Sequence, residues 1–117
     1  MKPKRFKARR AQRLEPGQKL VGRNTRWGNP FPVEGQIDPA DPPRLVLRFA
    51  EKMGVSVESL ICPSAKESVA RFRRALLGGD LDYTAADVRA QLKGYDLGCP
   101  CGEEACHAEV LIEIANE

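Results

Sequence analysis

Through Pro16-Gly17 the apolar positions of this chain neither alternate nor recur at helical spacing, so residues 1–17 read as a fraying arm, with order beginning near Gln18. Lys19-Leu20-Val21-Gly22 then reads as a short strand closed by a glycine. The following run, Arg23-Asn24-Thr25-Arg26-Trp27-Gly28-Asn29-Pro30-Phe31-Pro32, holds too many prolines and turn formers for a helix and is a loop rich in side-chain chemistry. Residues 34–43 are a polar, proline-rich connector. Asp41 can cap a helix with Pro42 at its first position, and Leu45, Val46, Phe49, Ala50 and Met53 at helical spacing predict a helix over 42–53, stopped by Gly54.

Ser64-Ala65-Lys66-Glu67 is a capping box, and Val69, Phe72 and Leu76 behind it predict a second helix that ends at Gly78-Gly79. Thr84-Ala85-Ala86-Asp87 repeats the pattern with a shorter acid and opens a third helix carrying Val88 and Leu92, closed by Gly94. The period then changes. Tyr95 to Cys99 reads as a strand, and Val110, Leu111 and Ile114 share one face of a last helix over 105–115. Strands separated by helices predict an α/β fold. The expectation is one small domain over residues 18–117, a short sheet with about four helices, preceded by a disordered basic arm.

Composition supports one globular domain, with 117 residues and 42% hydrophobic content. No run approaches the roughly 20 apolar residues that cross a bilayer, and the basic N-terminus has no apolar stretch behind it. A cytoplasmic, membrane-free protein is the expectation. Residues 1–26 carry Lys2, Lys4, Arg5, Lys7, Arg9, Arg10, Arg13, Lys19, Arg23 and Arg26 against Glu15 alone, while the rest of the chain is net acidic. A basic arm on an acidic body attracts polyanions, nucleic acid first among them, although Phe6 is the arm's sole ring and a base-stacking surface is missing.

The densest chemistry is Cys99-Pro100-Cys101-Gly102-Glu103-Glu104-Ala105-Cys106-His107, which holds three of the four cysteines and the only histidine. Three readings stay open. Cys99, Cys101, Cys106 and His107 match the number of ligands in a closed tetrahedral zinc site, which would staple a loop in a domain with a modest core. Neighbours on a helix diverge by about 100°, so Cys106 and His107 can share one ion only if the helix starts after them. In the second reading one cysteine is a nucleophile, with Cys106 at a helix N-terminus and His107 as base. In the third the thiols and imidazole are packing, as an isolated Cys62 is expected to be. The Arg23–Phe31 loop could shape a pocket at the end of the sheet, with Arg23 and Arg26 on a phosphate, Asn24 and Asn29 presenting amides, and Trp27 stacking on a base. Equally, Trp27 and Phe31 could plug the core.

Two segments together resemble one family. Gly22-Arg23-Asn24-Thr25-Arg26-Trp27-Gly28-Asn29-Pro30-Phe31, and Cys99-Pro100-Cys101 with Cys106-His107-Ala108-Glu109-Val110-Leu111, are similar to the signatures of small bacterial and bacteriophage proteins grouped as domain of unknown function 4326. The resemblance implies a fold neighbourhood and site positions and little biochemistry. Pro100 departs from the aromatic often found there, and residues 36–63 read as an insertion, a lid or a partner surface. The expected function is a module with a Cys/His site, zinc its cofactor, and a nucleotide- or nucleic-acid-binding pocket. An enzyme acting on a nucleotide or nucleobase, and a factor that binds a host or cellular protein, are the alternatives. No Walker loop, dinucleotide fingerprint or hydrolase elbow is present.

Overall fold

Leu97, Gly98 and Cys99 are buried in succession, so both faces of their strand are covered, and the structure pairs both of its edges as well. The computed structural model describes residues 3–7, 14–99 and 106–117. Within them β1 (Arg5–Lys7), β2 (Gln18–Leu20) and β3 (Asp96–Cys99) form a sheet of order β1-β3-β2, with both outer strands parallel to β3. Phe6 stands opposite Gly98 and Leu20 pairs with the same glycine from the other side. A Cβ on Gly98 would run into the Phe6 ring, so this strand needs glycine there.

Order therefore begins earlier than the sequence suggests: residues 5–7 belong to the sheet. Three residues with one apolar side chain show no period, and β1 is stable only because β3 supplies its backbone partners. Lys4 strengthens the edge, its amide donating to Asp96 Oδ1 at 2.8 Å. Of the expected arm, residues 1–2 and 8–13 lie outside the described residues.

The helices follow their caps. α1 (Arg44–Met53) starts two residues later than expected, because the residue before a proline avoids the helical region and Pro43 therefore keeps Pro42 out of the helix. Gly54 closes it in the left-handed conformation at φ 68. α2 (Ala65–Leu77) is capped by Ser64, whose hydroxyl accepts from the Glu67 amide at 3.2 Å. α3 (Ala85–Leu92) carries both halves of the Thr84/Asp87 capping box. α4 (His107–Ala115) has Cys106 as its N-cap. It packs on α2, α3, β1 and β3, and so forms the hub of the core with Val110, Leu111 and Ile114 fully buried.

The segment 36–63 is not an appendage. Val46, Phe49, Ala50, Leu60 and Cys62 enter the core, and Cys62 pairs through its backbone with Val33. Cys62 is the buried small apolar residue its isolation implied. No helix of the described residues is long and apolar enough to cross a membrane.

Candidate functional site

One loop, from Val21 to Val33, has chemistry on both sides. Val21 continues β2, its amide donating to the Gly98 carbonyl at 2.8 Å, and Gly22 begins a pair of tight turns. Thr25 holds the first turn, with its amide and hydroxyl both donating to the Gly22 carbonyl. Arg23 closes the loop on itself: Nε donates to the Asn29 carbonyl at 2.8 Å and Nη2 to Gln36 Oε1 at 3.1 Å. The chain passes so near itself and α1 that a Cβ on Gly28 would meet Arg23 Cα at 2.6 Å and Leu45 Cδ2 at 2.8 Å.

Asn29 is a buried tether. Its Nδ2 donates to Ser68 Oγ on α2 at 2.8 Å, its Oδ1 accepts from the Phe31 amide at 2.8 Å, and the Ser68 hydroxyl donates in turn to the Phe31 carbonyl. Trp27 is also buried, edge-on to Tyr83 with ring centroids 4.6 Å apart. The Arg26 guanidinium lies over both rings, 4.9 Å from Trp27 and 5.5 Å from Tyr83.

On the outer side, the loop, α1 and the segment 81–83 enclose a cavity of about 650 Å³. Arg23, Asn24 and Arg26, named as ligand residues from sequence, line it; Trp27 and Asn29 do not. Three cations that sequence reasoning passed over join them: Arg44, Arg48 and Lys52, spaced by four residues along one face of α1. That spacing was the available signal. Among the described residues the wall carries one acid, Asp82, which is paired with Lys52 at 3.3 Å. Leu45, Phe49, Leu81 and Tyr83 make the apolar part of the wall. The Tyr83 hydroxyl is buried with no hydrogen-bond partner among the described residues, and burial pushes its ionisation up, so it remains a neutral phenol.

On the inner side stands the Cys/His cluster. Cys99 ends β3, Cys106 caps α4 and His107 is the first helical residue, so the cap, not the helix body, brings Cys106 and His107 together. All three are buried. Cys99 Sγ and Cys106 Sγ lie 2.6 Å apart, and Cys106 Sγ is 3.6 Å from His107 Nδ1. His107 Nε2 faces the Val21 carbonyl at 2.7 Å and must be the protonated nitrogen, which leaves the Nδ1 lone pair toward the sulfur. Burial lowers the His107 pKa, against the raising effect of the Val21 carbonyl and of Cys99. Arg5, placed in the frayed arm by sequence, reaches this cluster from β1. Its guanidinium lies beside Cys106 and 3.5 Å from Glu109.

The fit to zinc divides. A metal-ligating histidine takes the tautomer that the Val21 carbonyl requires of His107, with its other nitrogen bonded to a carbonyl. Two thiolates on one tetrahedral zinc, however, stand about 3.7 Å apart, given Zn–S of about 2.3 Å. The Cys99–Cys106 pair is closer than that, and among the described residues no three Cys, His, Asp or Glu side chains are grouped to hold a metal. Cys101, the remaining expected ligand, lies outside the described residues. Cys99, Cys106 and His107 do not line the cavity; they are joined to it through the loop that runs from Val21 on His107 to Arg23 and Arg26 on the cavity wall.

The family described as Domain of unknown function (DUF4326) matches residues 5–117, a span that includes β1 and ends with α4. No curated protein and no solved structure matches the chain.

Proposed function

This chain belongs to the DUF4326 family, whose description states no activity, and from the geometry we propose that it binds a nucleotide, free or at the end of a nucleic acid, in the loop–α1 cavity. The observation that carries this reading is the cavity's charge: among the described residues Arg23, Arg26, Arg44, Arg48 and Lys52 surround it against one acid, which is already paired. Such a wall is unfavourable to itself and gains most from an anion with several oxygens. Guanidinium groups bind phosphate with two parallel hydrogen bonds, and Arg44, Arg48 and Lys52 sit four residues apart, so they face one line of negative charge. The apolar part of the wall, with Leu45, Leu81 and the Tyr83 ring, suits a flat group such as a nucleobase.

The inner cluster supports the loop in this reading. His107 grips the Val21 carbonyl at the loop's first residue, Asn29 and Ser68 fix its end, and the arginines between them project from a braced frame. A Cys/His-dependent reaction on the bound nucleotide is the second reading, favoured by the Nδ1 lone pair of His107 beside Cys106. It requires the ligand to reach a cluster that does not line the cavity.

The test is calorimetric titration with a nucleoside, its monophosphate and its triphosphate at two salt concentrations. Affinity rising with phosphate number and falling with salt is the expected result. Arg48→Glu should then weaken the triphosphate by about 100-fold, the cost of losing one charge-assisted pair and adding a repulsion. Equal affinity for nucleoside and triphosphate would sink the proposal.

A further inference from the structure

We propose that Cys99 and Cys106 are an oxidation site: a small hydroperoxide converts them into a reversible disulfide that clips the start of α4 to the end of β3. The two sulfurs stand 2.6 Å apart, inside the distance at which unbonded sulfurs touch, and a disulfide bond of about 2.05 Å needs them to close by only about half an ångström. Both are carried by ordered elements. β3 is paired on both edges, and α4 packs against β3, β1, α2 and α3, so the pair is held together by the core and not by a chance loop approach.

The same spacing argues against a zinc ion between this pair, which would push the sulfurs apart to about 3.7 Å. Cys62 has no such role, lying in the core with its sulfur against the Leu60 carbonyl. Cys99 and Cys106 are each about 1% exposed, which selects the oxidant by size. A hydroperoxide can enter where a peptide disulfide cannot.

The chemistry balances with that oxidant alone. Two thiols and one hydroperoxide yield one disulfide, one alcohol and one water; with hydrogen peroxide the products are the disulfide and two waters. The sulfurs give up two electrons, the O–O bond takes them and breaks, and the two thiol protons leave on its oxygens. A thiol reductant reverses the step.

This inference is independent of the nucleotide reading, and its readout is covalent. The reduced full-length chain is treated with hydrogen peroxide, alkylated and cleaved after glutamate, since Glu103 and Glu104 lie between the two cysteines and no lysine or arginine does. The expected result is a cross-linked pair of fragments, about two mass units lighter than their sum, that dithiothreitol separates. The link persists in Cys101→Ser, which removes the one competing thiol between them. Oxidised glutathione at equal concentration leaves the wild-type thiols reduced. A link that involves Cys101 in the wild type, sulfinic acid on a single cysteine, or thiols that stay inert would overturn the proposal. So would about one zinc per chain in protein purified without chelator, with both thiols released only on chelation.

Discussion

Replacing Ser68 by alanine removes one oxygen and strands two buried groups. Ser68 Oγ accepts from Asn29 Nδ2 at 2.8 Å and donates to the Phe31 carbonyl, and both Ser68 and Asn29 are over 90% buried. Neither orphaned group can turn to water, because Asn29 is held at its other end by the Phe31 amide. Leaving a buried polar group unsatisfied costs about 1–3 kcal/mol, so Ser68→Ala should lose about 2–4 kcal/mol in all, after allowing for partial relaxation. That is a large part of the roughly 5–15 kcal/mol that stabilises a domain, yet the fold should survive. Urea unfolding followed by the fluorescence of Trp27, the only tryptophan, reads the loop directly, and the melting temperature should fall by about 10 °C or more. Ser64→Ala, at the exposed cap of the same helix, is the control and should cost about 1 kcal/mol. A Ser68→Ala loss below about 0.5 kcal/mol would show that Asn29 and Phe31 are not anchored through this hydroxyl. A double-mutant cycle with Asn29→Ala should return a coupling of about 1–2 kcal/mol.

Three further outcomes follow from the geometry. Gly98→Val should abolish pairing of β1, because its Cβ meets the Phe6 ring; hydrogen exchange at the Leu97 amide, which donates to the Lys4 carbonyl at 3.0 Å, would then become fast, and unchanged protection there would refute the β1 packing. Tyr83→Phe removes a buried hydroxyl that has no partner among the described residues and should leave stability equal or raise it by about 1 kcal/mol in thermal melts, whereas a loss above about 1 kcal/mol would reveal a hidden partner. His107 has a folded pKa below its ordinary value because of burial, so its unfolded form takes up a proton first as pH falls. Stability is then fully present above about pH 6.5 and falls by up to about 1.4 kcal/mol per unit below it, until the folded pKa is reached. Nitrogen NMR of this single histidine should show Nε2 protonated and Nδ1 bare at neutral pH.

Local signals determined much of the secondary structure. Ser64 with Glu67 and Thr84 with Asp87 mark where α2 and α3 begin because a cap is satisfied within one turn of chain, and Gly54 stops α1 by its own backbone freedom. The strand ending at Cys99 and the proline-rich loop after Gly22 were legible from equally local signals, whereas the last helix, expected from residue 105, begins only at His107 with Cys106 as its cap. The α/β class follows from those elements in order.

Features built from distant segments were decided only by the tertiary structure. β1 has too few residues and too little apolar pattern to announce itself; it exists because β3 offers an open edge and Gly98 makes room for Phe6. Arg5 consequently moved from a solvated arm to the cysteine cluster. From sequence Asn29 suits ligand recognition and Trp27 suits either a base or the core; in the fold they pack on Ser68 and Tyr83, each about 40 or more residues away. Arg44, Arg48 and Lys52 drew no reading from sequence, because charges at that spacing usually mark only the wet side of a helix. They became one wall of a cavity when the Arg23–Pro30 loop and the segment 81–83 folded against α1. Sequence specifies each residue's chemistry and local conformation; which groups face one another depends on long-range packing, and the candidate site is made of those encounters.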